Sequence, residues 1–377
     1  MATHGDYISV VFDLGSQNTK AGFAGESFPR CMIPTTLGRL RRRGLSDGFP
    51  DVTFGDEAIK MRGVSHLNWP VDEGFIKDWD EVEKLWHHIF YRKLHVPPEE
   101  ARVMYVTHPL ASKRYKEKIT EIMFECFMVR NIYLGPSPAL VLHASGRTSG
   151  IVWENGYSCS YIAPVFEGFP LKNATITSQI NGKTLTDCLQ KLMIKVGYCF
   201  TTPMEKELLE SIKVQLCYVA REYGEEVVSY SASEKNKIKF DLPDGQHVLI
   251  GEERFKCPEL LFQPHLLKLQ CPSIVDDICT SIKKCDLEYK PLFYNNIVLS
   301  GGSTLFKGLS DRLALELNKQ VKDLPGVETN VDAMSSRHLA AWAGGSILAS
   351  MDSLNGFWMT KEEYEDDGAD RIHCKFF

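Results

Sequence analysis

Three short segments carry the residue types that handle phosphate groups and a divalent cation. The first is Asp13-Leu14-Gly15-Ser16-Gln17-Asn18-Thr19-Lys20, directly after the apolar run at 8–12. A carboxylate at a strand end can hold a hydrated Mg2+, a turn of small residues offers backbone N–H groups to phosphate oxygens, and Lys20 adds a positive charge. The competing reading is a surface hairpin with a charged tip. The second is Glu154-Asn155-Gly156-Tyr157-Ser158, which follows the run Ile151-Val152-Trp153 in the same manner. The third is Ser300-Gly301-Gly302-Ser303-Thr304, after Ile297-Val298-Leu299. Paired glycines let a backbone approach a flat ligand, and a helix can start just beyond. A plain strand-to-helix turn would look the same.

Other motifs are rejected. Gly182-Lys183-Thr184 looks like the end of a phosphate-binding P-loop, but Thr177 stands where the upstream glycine is required. The sequence holds no His-Glu-x-x-His, no Gly-x-Ser-x-Gly and no Gly-x-Gly-x-x-Gly.

The elements that must position these turns alternate. Apolar strand-like runs at 8–12, 150–153 and 296–299 are separated by helical patterns. Ser112 caps a predicted helix with Ile119, Ile122, Met123 and Cys126 at helical spacing, and Thr202-Pro203-Met204-Glu205 reads as a capping box. That helix is predicted to bury Leu208, Ile212 and Leu216. Strands interleaved with helices predict an α/β fold. The two acidic strand-turn units also share an order: apolar strand, acidic residue, glycine turn, second strand, then a closing glycine at Gly25 or Gly168. This suggests duplicated halves.

Composition bounds the rest. The chain has 377 residues, which suggests two domains or one large one at roughly 150 residues per domain. Charged residues make up 24% and apolar residues 44%, which excludes disorder, collagen and coiled coil. The net charge of −6 argues against a protein built to hold nucleic acid or an acidic membrane. No apolar run has the length of a membrane span, and the first residues have neither the basic nor the apolar region of a signal peptide. The 11 cysteines lack a Cys-x-x-Cys pair, so reduced thiols are expected rather than disulfides or a structural zinc site. The run Arg39-Leu40-Arg41-Arg42-Arg43 reads as a solvated loop, with an acidic partner or a nuclear signal as alternatives, and the acidic stretch at 362–370 as a solvated face.

With these segments in hand, the sequence resembles the actin family from end to end. The resemblance rests on ordered blocks: Lys20-Ala21-Gly22-Phe23-Ala24-Gly25, Gly55-Asp56-Glu57-Ala58, Trp86-His87-His88-Ile89-Phe90-Tyr91, Ala144-Ser145-Gly146-Arg147-Thr148, Leu216-Cys217-Tyr218-Val219-Ala220, Pro258-Glu259-Leu260-Leu261-Phe262, Leu299-Ser300-Gly301-Gly302-Ser303-Thr304 and Gly344-Gly345-Ser346-Ile347-Leu348-Ala349-Ser350. Some blocks are similar to conventional actin, others to centractin-type actin-related proteins. The resemblance implies a two-lobed α/β fold with duplicated RNase H-like subdomains around a nucleotide cleft. The first lobe would span 1–145 with an outer region at about 34–70, the second lobe 146–338, and residues 339–377 would return to the first.

The same resemblance implies ATP or ADP with Mg2+ as the ligand. Asp13, Gly15, Ser16, Lys20, Gly156, Gly182, Lys213, Gly301 and Gly302 match the family's nucleotide positions, with Asp13 and Glu154 as metal-side carboxylates. Departures are heavy. Leu14 and Gln17 replace Asn and Gly in the first turn, and Tyr157 replaces the ribose-contacting Asp. Glu210, Val214 and His338 replace Arg, Glu and Lys around the adenine, and Glu73 replaces a His beside Gly74. The residues that orient the attacking water, a Gln and a His, read Ser137 and Tyr161 here. A serine is too short for that task, and a phenol with a pKa near 10 is a poor proton relay at neutral pH. Hydrolysis is therefore expected to be weak or lost.

For partners, the resemblance implies other actin-like or cytoskeletal subunits. A helical partner would sit in an apolar groove at Ala144, Ile347, Met351 and Phe357. The loop Gly44-Leu45-Ser46-Asp47-Gly48-Phe49 lacks the family's apolar subunit contact. The expected role is that of a structural subunit of a cytoskeletal filament or stable complex in the cytoplasm. Alternatives are a nuclear subunit of a chromatin complex and a phosphotransferase of the same fold.

Overall fold

The computed structural model describes residues 7–41, 50–232, 237–243, 245–322 and 327–375. Residues 42–49, which include Arg42, Arg43 and the altered subunit-contact loop, lie outside the described residues. The chain divides into two compact units. Unit 1 comprises Met1–Thr148, Val165–Lys172 and Leu339–Phe377, and unit 2 comprises Ser149–Pro164 and Asn173–His338.

The duplication suggested by the strand-turn repeats is present in the strand order. In unit 1, strand Ile8–Leu14 forms a hairpin with Asn18–Phe23, which pairs with Cys31–Pro34. On its other side Ile8–Leu14 runs parallel to Ala101–Thr107, which runs parallel to Asn131–Pro136. In unit 2, Gly150–Asn155 neighbours Ser160–Phe166, which pairs with Ile176–Thr177. Gly150–Asn155 is likewise parallel to Ile297–Ser300, which is parallel to Val331–Asp332. Numbered along the chain, these five strands of each six-stranded sheet read third, second, first, fourth, fifth; Met359–Thr360 extends the first sheet beyond Asn131–Pro136, and Phe169–Pro170 also pairs with Ser160–Phe166 in the second. The central strands of both sheets are apolar over most of their length, as parallel strands covered on both faces must be.

Each unit has its own core. In unit 1, Phe12 packs on Phe90 at 5.0 Å between ring centroids, and Trp86 meets Tyr105 edge-on at 5.6 Å. Helix Ala340–Ala349 lies against Ser137–Ala144 so closely that a Cβ at Gly344 would overlap the Leu140 carbonyl oxygen. The Trp342 indole N–H donates to the Val11 carbonyl at 3.1 Å, which fixes that helix over the sheet. In unit 2, Ile151, Val152, Trp153, Ile297, Val298 and Leu299 are buried together in the two central strands.

Two helix expectations can be read directly. Ser112 accepts from the Tyr115 N–H and caps Lys113–Glu121, and the Thr202–Glu205 capping box is complete at the start of Pro203–Leu216. The buried stripe of the latter helix differs from the expected one. Leu209 and Ile212 are fully buried, while Leu208 and Leu216 are only half-buried. A strict four-residue step overshoots the 3.6-residue turn, so the inward face follows a mixed three- and four-residue step instead.

The basic run is also less free than a solvated loop. Arg39 belongs to strand Leu37–Leu40, and its guanidinium pairs with Glu81 at 2.8 Å. Glu81 is buried on helix Trp79–His88 and takes a second bond from Asn68 at 2.6 Å. Among the described residues no helix is long and apolar enough to cross a membrane.

Candidate functional site

The two hairpins present the same arrangement. In unit 1 the register sets Asp13 opposite Lys20, and Lys20 Nζ lies 2.7 Å from Asp13 Oδ2. In unit 2 the Tyr161 hydroxyl donates to Glu154 Oε2 at 2.8 Å. In both, the acid at the end of the first strand is held by the residue seven positions further on. The sequence matched Asp13 to Glu154, but did not show that Tyr161 stands where Lys20 does.

The first turn is shaped by Thr35, a buried residue absent from the sequence-based candidates. Its hydroxyl donates to the Gly15 carbonyl at 2.6 Å, and its N–H donates to the Gln17 carbonyl at 2.9 Å. The Gly15 N–H closes the turn on the Asn18 carbonyl at 3.2 Å. A Cβ at Gly15 would sit 2.7 Å from that carbonyl oxygen, so only glycine fits the tight turn. Leu14, which replaces the family's Asn, packs against the unit 1 core.

The second turn is gathered by three glycine segments. The Gly182 N–H donates to the Gly156 carbonyl at 2.9 Å, and the Lys183 N–H to the Tyr157 carbonyl at 2.7 Å. Both donors belong to the first turn of helix Gly182–Val196, whose Asn181 cap accepts from the Thr184 N–H at 3.0 Å and donates to the Ser158 carbonyl at 3.0 Å. The positive end of a helix dipole therefore meets the hairpin turn. Ser303 adds a hydrogen bond from its hydroxyl to the Gly156 carbonyl at 3.0 Å. Gly301, at φ 89°, runs against Asn155 so closely that a Cβ would overlap the Asn155 carbonyl, whereas a Cβ at Gly302 would meet open space. Asn155 itself is fully buried, and neither polar atom of its amide has a hydrogen-bond partner.

Lys213 belongs to the same cluster. Its side chain is 2% exposed, and its ammonium lies 2.8 Å from each of the Gly182 carbonyl, the Thr186 hydroxyl and a Glu210 carboxylate oxygen. Thus Gly156, Gly182, Lys213, Gly301 and Gly302 are brought together within unit 2, and Asp13, Gly15, Ser16 and Lys20 within the unit 1 hairpin. Val214 is 67% exposed. Ser137 is buried at the start of helix Ser137–Ala144, and Tyr161 is buried on the second strand of the unit 2 hairpin.

Elsewhere in unit 1, Glu117, Asp370 and His373 bring three potential ligand atoms within 4.8 Å of one another. There the His373–Glu117 contact of 2.6 Å fastens the last helical turn, Ile372–Lys375, to helix Lys113–Glu121. The exposed apolar residues of unit 1 include Ile347, Met351 and Phe357 at 40, 43 and 58% exposure, and Ala144 is half-buried.

A duplicated 3-2-1-4-5 sheet, with an acid-bearing glycine hairpin in each copy, defines an actin-like α/β protein. The sequence model of the actin family matches residues 5–377, nearly the whole chain, and the chain belongs to that family. Members of the family generally bind ATP or ADP with Mg2+ and assemble with other actin-like or cytoskeletal subunits.

Proposed function

We propose that this chain is a structural subunit of a cytoskeletal filament or stable cytoskeletal complex, with nucleotide-binding turns and with hydrolysis weak or lost. The observation that carries the second half is the Tyr161–Glu154 hydrogen bond. A phenol committed to a carboxylate neither orients a water nor relays a proton at neutral pH. Ser137 at the companion position is buried and too short to reach a water that a Gln would hold.

The residues present fit a nucleotide in a limited sense. Gly302 keeps the open backbone surface that a flat ring requires, while Gly301 packs on Asn155. Gly15 and Gly156 keep tight turns, and Lys20 supplies charge beside Asp13. In unit 1, Gly15, Ser16 and Lys20 would contact the phosphates of ATP or ADP, with Asp13 on the Mg2+ side; in unit 2, Gly156, Gly182, Lys213, Gly301 and Gly302 would contact a nucleotide, with Glu154 on the Mg2+ side. The metal would neutralise phosphate charge when bound. This chain's own contribution is to hold the turns and to keep Glu154 occupied by Tyr161.

Exposed Ile347, Met351 and Phe357 support a helical partner on unit 1, since exposed apolar side chains can receive the apolar face of an amphipathic helix. The nuclear reading rests on the basic run, in which Arg39 is already paired with Glu81.

The test is the nucleotide content of the purified chain after acid extraction and chromatography. ATP bound near one per chain and unchanged over days supports binding without turnover. Bound ADP produced from supplied ATP would sink the loss of hydrolysis. A folded chain that neither carries nor takes up nucleotide would remove the binding half. Sedimentation of the chain with and without Mg2+ and salt tests free polymerisation, which is expected to be absent.

A further inference from the structure

We propose that Glu210 is a built-in counter-ion that withholds Lys213 from any ligand at the glycine-lined turn of unit 2, and so sets that unit's affinity for nucleotide. The inference rests on the nucleotide reading given above.

An ammonium has three donors and no acceptor. All three donors of Lys213 have an acceptor at 2.8 Å: the Gly182 carbonyl, the Thr186 hydroxyl and the Glu210 carboxylate. The Glu210 carboxylate also takes the Thr186 hydroxyl hydrogen. Glu210 and Lys213 lie one turn apart on helix Pro203–Leu216, so their pairing is fixed by local geometry. Thr186 lies on helix Gly182–Val196, so the trio also clips these two helices together.

The location gives the trio its meaning. Gly182, whose carbonyl accepts from Lys213, donates its own N–H to Gly156 in the hairpin turn at 2.9 Å. A buried ammonium one residue from a ligand-binding turn would attract an anionic or oxygen-rich ligand strongly in a low-dielectric site. With Glu210 present the cluster is neutral, and every Lys213 donor is already engaged. A ligand must break one of these bonds to reach it. Glu210 has 19% of its side chain exposed, so its removal opens the cluster toward solvent instead of leaving a sealed void.

The experiment is calorimetric titration of the full-length chain with MgADP, comparing the parent with Glu210→Gln, Glu210→Ala and Glu210→Gln combined with Lys213→Gln. Circular dichroism melts establish that each variant is folded, and Glu210→Ala serves if the amide disturbs the helix pair. The single variants are expected to bind about tenfold more tightly than the parent, and the double variant to lose that gain. Equal or weaker binding by folded single variants, with the parent binding, overturns the role of Glu210 and leaves the nucleotide reading standing. No binding by the parent or by any folded variant overturns both.

Discussion

Tyr161 donates its hydroxyl hydrogen to Glu154 at 2.8 Å, in the place where Lys20 holds Asp13 at 2.7 Å in the other hairpin. One copy of the duplicated motif thus pairs its acid with a cation, and the other with a neutral phenol. The first hairpin closes on an ion pair, while the second uses its acid as an acceptor for a neutral hydroxyl.

Tyr161→Phe removes that donor from a half-buried carboxylate partner. The expected cost is about 1–2 kcal/mol of stability, read as a lowered urea midpoint for unit 2 probes. An unchanged midpoint would mean that water replaces the phenol fully.

Tyr161→His together with Ser137→Gln restores the two residue types the family uses near the γ-phosphate. Phosphate release from bound ATP is expected to rise about tenfold or more, measured in single turnover. An unmoved rate would sink the assignment of weak hydrolysis to these two positions.

Glu73 stands at φ 53° beside Gly74 at φ 79°, in the two-residue turn joining Val71–Asp72 to Phe75–Ile76. Positive φ at both turn positions suits Asn-Gly far better than Glu-Gly. Glu73→Asn is expected to stabilise unit 1 by about 0.5–1 kcal/mol, visible as a raised melting temperature. A lower melting temperature would show that the Glu73–Lys77 contact at 3.6 Å outweighs backbone strain.

Burial pushes the His108 imidazole down to about 4, and its Nδ1 accepts from the Leu110 N–H at 3.1 Å. The unfolded chain protonates this ring near 6.5, so the unfolded state gains protons first as the pH falls. The stability contributed by the neutral ring is therefore full above about 6.5 and is lost progressively toward about 4. His108→Asn keeps an acceptor near Nδ1 and removes the titrating ring. The stability difference between parent and variant is expected to shift in the variant's favour across that window, and a difference constant with pH would refute the assignment.

Gly344→Ala places a methyl group into the Leu140 carbonyl, where helix Ala340–Ala349 meets Ser137–Ala144. Because the obstacle is backbone, a rotamer change gives no relief. The expected loss is about 3 kcal/mol, with a fall in soluble yield. Gly302→Ala, which meets open space, is the matched control.

Much of this protein was legible in its sequence because the signals are local. Apolar runs ending in Asp13, Glu154 and Ser300 mark strands that end at turns, and Ser112 and Thr202-x-x-Glu205 mark helix starts. Strand alternation and caps depend on neighbours a few residues apart, so the sequence alone determined the α/β class, the repeat and the glycine turns. The resemblance then placed the family's nucleotide positions. What tertiary structure decided is which partner each polar group takes. Thr35 reaches Gly15 across 20 residues, Arg39 reaches Glu81 across 42, and Ser303 reaches Gly156 across 147. Lys213, a ligand contact by sequence match, has its donors engaged because a second helix brings the Thr186 hydroxyl and the Gly182 carbonyl to it, beside Glu210 on its own helix. Such pairings follow from how strands and helices stack, and a buried polar group takes whatever acceptor that stacking places within 3 Å.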